Sequence, residues 1–264
     1  MNRNSDKRAA GVSSLHRDRY AAPHGAGQES IQPRRLSVII PTYNEERTLG
    51  HTLDRVRRGN AWEVIVVDGR STDRTAQIAR AHGATVVDSP RGRGRQLTAG
   101  ASTATGDTLL FLHADTSLPL GFDDYVFRAL DQPGVCAGAF RLSIDAQGRS
   151  FRLIERMVNF RSRVHQMPYG VQAIFVRADV FHKVGGFPDL PIMEDYVLIR
   201  RLRCMGRIEI APASVVTSGR RWIDHGVWRT TLRNQICIAA YWLGVSPGRV
   251  TRWRERKSER GGSQ

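Results

Sequence analysis

Four short apolar runs, within SVII, EVIVVDG, ATVVDS and TLLFLHADT, are separated by segments with helical spacing. No other feature restricts the fold as tightly. Residues 36–40 form a β-branched run that Pro41 is expected to stop. Leu49, Leu53 and Val56 then recur on one helical face, and Gly59 closes that helix. EVIVVDG is a second strand, and STDRTAQIARAHG a second helix, capped by Ser71 or Thr72 and ended by Gly83. ATVVDS is a third strand. A helix over residues 96–104 leads to a fourth in TLLFLHADT. Strands alternating with helices require right-handed crossovers and a mainly parallel sheet. Apolar runs without polar alternation suit strands covered on both faces. The expected fold class is α/β, with helices flanking the sheet.

The second half changes pattern. VCAGAFRLSI reads as a strand and residues 150–164 as an amphipathic helix. GVQAIFVRADVFHKVGGF reads as a strand, a short helix and a Gly-Gly turn. IMEDYVLIRRLRCMG is a helix that opens with acids and closes with bases, matching its dipole. RIEIAPASVVTSG supplies further short strands, and residues 225–259 one or two Arg-rich amphipathic helices. Three segments follow: a polar, disordered arm over 1–35, a folded domain over 36–224 and a helical extension over 225–264.

The 264 residues carry 40 Lys and Arg against 25 Asp and Glu, a formal charge of +15. That excess favours anionic partners such as nucleotides, diphosphates, nucleic acid or an anionic membrane. The excess is spread through the tails, and no motif interleaves aromatics with bases, so no specific nucleic-acid partner is expected. Cys136, Cys204 and Cys237 show no CxxC spacing, which argues against a disulfide framework or zinc site. With a polar first thirty residues and no apolar run of about 20, a cytoplasmic chain is expected. RVTRWRERKSER reads as a solvated helix, with peripheral attachment at the inner face of an anionic membrane as the alternative.

In parallel α/β sheets, ligands sit beyond the C-terminal strand ends. Residues 41–45, Asp68 and 113–115 all fall there. Asp68, just past a strand, either accepts hydrogen bonds from a ribose or a base or forms a strand-end turn or helix cap. SPRGRGRQLTAG is neither a GxGxxG nor a Walker loop; its Arg91, Arg93 and Arg95 either hold a diphosphate or form an exposed basic loop. His113 and Asp115 form a His-x-Asp pair able to bind a divalent cation, magnesium through the carboxylate or manganese or zinc if the imidazole joins, unless His113 is a structural hydrogen-bonder. Glu194 and Asp195 open a helix, where they serve either as base and partner or as favourable N-terminal acids. SGRRW places Arg220 and Arg221 beside Trp222, either for phosphate clamping and sugar stacking or as a surface Arg pair with a core Trp.

SVIIPTYNEE, VIVVDGRSTDRT, GDTLLFLHADT, GGFPDLPIMEDYVLIRRL and RRW, in this order, resemble a family 2 glycosyltransferase of the GT-A fold. HADT with SGRRW and YWLGVSP is most similar to the transferases associated with radical-SAM and arsenosugar pathways. The resemblance implies a GT-A nucleotide-diphospho-sugar transferase fold with a Rossmann-like sheet. It implies inverting transfer from a nucleotide-sugar donor to an unknown hydroxyl acceptor, whether small molecule, lipid or glycan. Pro41, Tyr43, Glu45 and Asp68 would line the nucleotide pocket, joined by Arg95 and Gln96. Asp115, with His113 beside it, would hold Mn or Mg. Asp195 would be the general base with Glu194 at its side, and Gln172, Arg221 and Trp222 would face acceptor or diphosphate.

Three departures stand out. The usual DDGS is Asp68-Gly69-Arg70-Ser71, the first acid of DxD is His113, and YGDQ reads Tyr169-Gly170-Val171-Gln172. They leave room for a catalytically idle nucleotide-sugar binder as the second reading.

Overall fold

The computed structural model describes residues 34–243, 245 and 248, apart from some side chains within 221–242. The expected arm, save its last two residues, and the segment RVTRWRERKSER lie outside the described residues.

Strands β1 (Leu36–Thr42), β2 (Glu63–Asp68), β3 (Thr85–Asp88) and β4 (Thr108–Phe111) alternate with helices α1 (Leu49–Val56), α2 (Thr75–Ala81) and α3 (Arg93–Thr103). Next come β5 (Thr116–Ser117), α4 (Phe122–Leu130), β6 (Val135–Asp145), α5 (Arg149–His165) and a 3-10 turn (Gly170–Gln172). The chain continues through β7 (Ile174–Arg177), α6 (Ala178–Lys183), α7 (Glu194–Arg203), β8 (Arg207–Ser218), α8 (Arg220–His225) and α9 (Val227–Trp242).

All eight strands form one sheet in the order β3-β2-β1-β4-β7-β6-β8-β5. The first four strands are mutually parallel; β7 runs antiparallel between β4 and β6, and β8 is parallel to β6. One edge therefore collects the ends of β1, β2, β4 and β8 together with the start of β7. That geometry brings the Tyr169–Gln172 turn beside His113.

Consecutive strand residues face opposite sides, and both sides are covered. Val38, Ile40, Val66 and Leu110 pack with Leu53 of α1 and Phe122 of α4. Ile39, Ile65, Val67, Leu109 and Phe111 pack with Leu97 of α3 and Leu198 of α7. Each fully buried side chain contributes roughly 1.5–3 kcal/mol. On α3, a Cβ at Gly100 would lie 2.5 Å from Ile39 Cγ2 and 2.8 Å from Val67 Cγ2. The bare glycine lets α3 lie close on the strands that end at the site.

Several boundaries differ from expectation. β1 runs through Pro41, which pairs with Val67 on β2. Ile40 and Thr42 face β2, so Pro41 turns its missing N–H toward β4, which has already ended at Phe111. α2 begins at Thr75, because the Asp73 carboxylate accepts the Thr75 N–H (3.0 Å) instead of Ser71 or Thr72 capping it. α3 begins three residues earlier than its spacing suggested, which moves Arg93 and Arg95 from loop to helix. The expected short strands after α7 are one strand, β8, whose register with β6 shifts between Ala139 and Arg141, where Pro212 interrupts the ladder. α4 was not anticipated, although Phe122, Val126, Ala129 and Leu130 carry helical spacing behind Asp123 and Asp124. β5, two residues long, carries no pattern at all.

Candidate active site

A cavity of about 600 Å³ opens on the shared strand edge. Its walls come from Pro41 near the end of β1 and Tyr43 and Glu45 in the loop after it, the start of α3 (Arg93, Gln96), and the turn after β4 (His113, Asp115). Tyr169, Glu194, Asp195 and Trp222 complete it, with Cys237 and Ile238 of α9.

The centre is an ion cluster. Arg93 Nε is bonded to Glu194 Oε1, and Arg93 Nη2 lies 3.3 Å from Asp195 Oδ2. Arg93 Nη1 faces His113 Nε2 at 3.2 Å. Burial alone would depress the Arg93 guanidinium; Glu194 and Asp195 outweigh it and raise its pKa above the ordinary value. A guanidinium only donates, so His113 Nε2 can take part in this contact only as acceptor. Asp195 Oδ2 also accepts the Gly170 N–H at 2.8 Å. A Cβ on Gly170 would lie 3.2 Å from both that oxygen and His113 Nε2, so any side chain there would press on both groups. Met193 precedes the two acids with φ 71°, an uncommon left-handed conformation for a residue with a side chain. That turn places both carboxylates in the first turn of α7, where the helix dipole favours anions. Glu194 is buried at 3% exposure, whereas Asp195 is partly open to the cavity.

Sequence reasoning treated Arg93 as one of three alternating arginines. The helix that begins there separates them. Arg91 stays outside it, its guanidinium 4.0 Å from the centre of the Tyr43 ring. Arg95 points outward and pairs with Asp189 at 2.8 and 2.9 Å, away from the cavity. Only Arg93 reaches the acids. An earlier helix start was the one signal that could have singled it out.

Other expected residues divide between cavity and scaffold. Asp68 is buried and does not line the cavity; its oxygens accept from Ser71 N (2.9 Å), Ser71 Oγ (2.5 Å) and Thr42 Oγ1 (3.3 Å), locking the turn after β2. Gln96 lines the cavity, but its Nε2 ties β1 to β2 through Thr42 O (2.8 Å) and Val67 O (2.9 Å). Gln172 is fully buried, accepting from Ser162 Oγ (2.8 Å) and the Tyr169 N–H (3.2 Å) while donating to Phe140 O (2.9 Å). Glu45 holds Thr48 Oγ1 at 2.7 Å and meets Arg220 from α8 at 3.4 Å. Trp222 rests against the apolar cluster of Leu142, Ile144 and Phe151 while facing the cavity. The Arg221 side chain lies outside the described residues.

Among the described residues, no three His, Cys, Asp or Glu side chains gather as a metal site. The donor set at Asp115 nonetheless fits a hard cation. Its Oδ1 takes one weak bond from Thr116 Oγ1 (3.4 Å), and the carboxylate borders the cavity. Magnesium and manganese are commonly held by one or two carboxylates plus substrate phosphates. His113 Nε2 is already turned to Arg93.

Residues 37–186 match the family described as Glycosyl transferase family 2, and the chain belongs to that family. An uncharacterised glycosyltransferase of Mycobacterium tuberculosis is 39% identical over 87 residues, covering 33% of this chain and 39% of the relative. The 4,4'-diaponeurosporenoate glycosyltransferase of Staphylococcus aureus is 48% identical over 54 residues, covering 20% of this chain and 14% of that enzyme. The matches thus span well under half of these relatives. Among solved structures, S. aureus TarS with UDP-GlcNAc superposes with TM-score 0.58 at 20% identity, covering 70% of this chain and 58% of that one. A mannosyltransferase of Pyrobaculum calidifontis with GDP-Man and Mn2+ gives TM-score 0.54 at 24% identity, covering 70% and 57%. At such identities the likeness establishes the GT-A fold.

Removing Arg93 leaves Glu194 buried without its cation. Arg93→Ala is expected to lose on the order of 3 kcal/mol in urea unfolding, and adding Glu194→Gln should restore much of that. Equal stability of Arg93→Ala and the parent would contradict the clamp.

Proposed function

We propose that the protein is an inverting glycosyltransferase that moves a sugar from a nucleotide-diphosphate donor to an acceptor hydroxyl, assisted by Mn or Mg. The reading is carried by one observation: the Arg93-held pair Glu194 and Asp195 faces Asp115 across a single cavity at the strand edge. Related folds with nucleotide sugars, and in one case Mn2+, support it.

In this reading Tyr43 and Glu45 flank the nucleotide. Asp68 and Gln96 shape its pocket from behind through the Ser71 turn and the β1–β2 tie. Asp115, with the donor phosphates, would hold a divalent cation, which would supply charge stabilisation for the departing diphosphate. Asp195 removes the acceptor proton as the acceptor oxygen bonds to the anomeric carbon from the face opposite the diphosphate. The carbon–oxygen bond to the diphosphate breaks, and its electron pair leaves on that oxygen. The products are an inverted glycoside, a nucleoside diphosphate and a protonated Asp195, which returns its proton to water. Gly170 and Arg93 fix the Asp195 carboxylate, and Glu194 keeps Arg93 in place. His113 positions Arg93 from the opposite side rather than binding the cation.

The narrower assignment, to transferases associated with radical-SAM and arsenosugar pathways, rests on HADT, SGRRW and YWLGVSP. A cytoplasmic location is part of the proposal; among the described residues no helix is long and apolar enough to cross a membrane. Asp195→Asn keeps the shape but cannot take a proton. It should lower turnover by 10²–10⁴-fold, roughly the contribution of a general base, while nucleotide-sugar stabilisation of melting in Mn2+ persists. An active Asp195→Asn enzyme would remove Asp195 from that role. Donor stabilisation of the parent protein without turnover on any acceptor extract would favour the idle binder.

Peripheral contact with an anionic membrane is the second part of the proposal, and α5 supports it. Leu153, Met157, Phe160 and Val164 are spaced 4, 3 and 4 residues apart, and are 44%, 53%, 65% and 56% exposed. Arg149, Arg156 and Arg163, all exposed and seven apart, border this stripe. An apolar face with flanking cations matches an anionic lipid surface. Vesicles containing phosphatidylglycerol should co-sediment the protein, less at high salt. The double variant Met157→Asp and Phe160→Asp should bind severalfold less. Unchanged binding by the variant would overturn the role of α5.

A further inference from the structure

A second cavity, of about 570 Å³, adjoins the first. The two share Tyr169, Tyr196 and Ile238, so a wall made largely of two tyrosines separates the second space from Asp195. Arg161 and His165 of α5 and Arg200 and Arg203 of α7 line it, and among the described residues no carboxylate does.

Arg161 is the informative member. Its Nε donates to Met167 O at 3.2 Å, and its guanidinium lies 3.6 Å from the centre of the Tyr169 ring. Its Nη2 is buried and has no hydrogen-bond partner. Burial pushes this guanidinium below its ordinary range, and Tyr169 and Asp195 offset part of that effect. A buried cationic donor left without an acceptor is costly. With Nε held by Met167 and Nη2 buried, Arg161 acts on the cavity as a nearby positive charge, and Arg200 and Arg203 on the same lining raise the local potential for an anion.

We propose that this cavity is an anion subsite, holding the phosphate or carboxylate of an acceptor whose hydroxyl reaches Asp195 past Tyr169 and Tyr196. The substrate class is then a hydroxylated anion. The subsite rests on the transferase reading of the neighbouring cavity for its role, but not for its ability to bind an anion. A phosphorylated soluble compound and a lipid phosphate share this chemistry.

Inorganic phosphate is the probe, titrated into the full chain by calorimetry with Mn2+ and a saturating nucleoside diphosphate, so that the diphosphate corner is filled. Wild type should bind phosphate, and Arg161→Gln should bind it at least ten-fold more weakly. The double variant Arg200→Gln and Arg203→Gln, at exposed positions, should show the same loss and keeps the test decisive if Arg161→Gln fails to fold. Affinity for the nucleoside diphosphate should not change in either variant. Equal phosphate affinity in wild type and the double variant, or none in wild type, overturns the subsite. Intact phosphate binding with no nucleoside diphosphate binding instead indicts the transferase reading alone. Competition by glycerol 3-phosphate assigns a soluble phosphate, and competition by short-chain phosphatidic acid a lipid one. Either supports the subsite, and competition by neither overturns it.

Discussion

Arg93 joins the two halves of the molecule at the point where chemistry is proposed. It stands at the first turn of α3, a helix packed on the parallel half of the sheet, and reaches both acids that open α7. Removing Glu194 from water is costly unless a cation accompanies it. The same cation reaches Asp195 and His113, so one guanidinium sets the positions of three side chains. Gly100, bare against Ile39 and Val67, and Gly170, bare against Asp195, are the two close approaches that make this possible.

The mixed sheet explains how distant segments meet. A parallel sheet alone would deliver strand ends from β1, β2 and β4. Inserting β7 antiparallel beside β4 adds the beginning of a strand to the same edge, and with it the Tyr169–Gln172 turn. β8, parallel to β6, returns Thr217 and Ser218 to that edge and leads into Trp222. The cavity thus draws on seven separate segments, held by hydrogen bonds made away from the ligand space. Asp68, Gln96 and Gln172 belong to that supporting layer.

Much of this was legible in the residues. Apolar runs such as EVIVVDG announced strands buried on both sides, and Val66 and Val67 do face opposite cores. The placement of Tyr43, His113 and Asp115 beyond strand ends followed from the general rule for such sheets. What the chain hid was side-chain direction. Arg91, Arg93 and Arg95 look equivalent in a loop, but a helix starting at Arg93 sends Arg93 inward and Arg95 to Asp189. Gln172 looks like a ligand contact until its amide is found bonded to Ser162 and Phe140. Pro41 looked like a strand end because the missing N–H counts only where a neighbour needs it. The basic cavity around Arg161 joins residues from α5, α7 and α9, which no local pattern connects.

The proposed chemistry is a single displacement at the anomeric carbon, with Asp195 and Arg93 on the acceptor side. Water can stand in for an acceptor, which removes the need to know the natural one. Proton NMR of the sugar first released from an α-linked nucleotide sugar, recorded in Mn2+ before the anomers equilibrate, tests it directly. The account predicts the β-anomer; initial release of the α-anomer would contradict it.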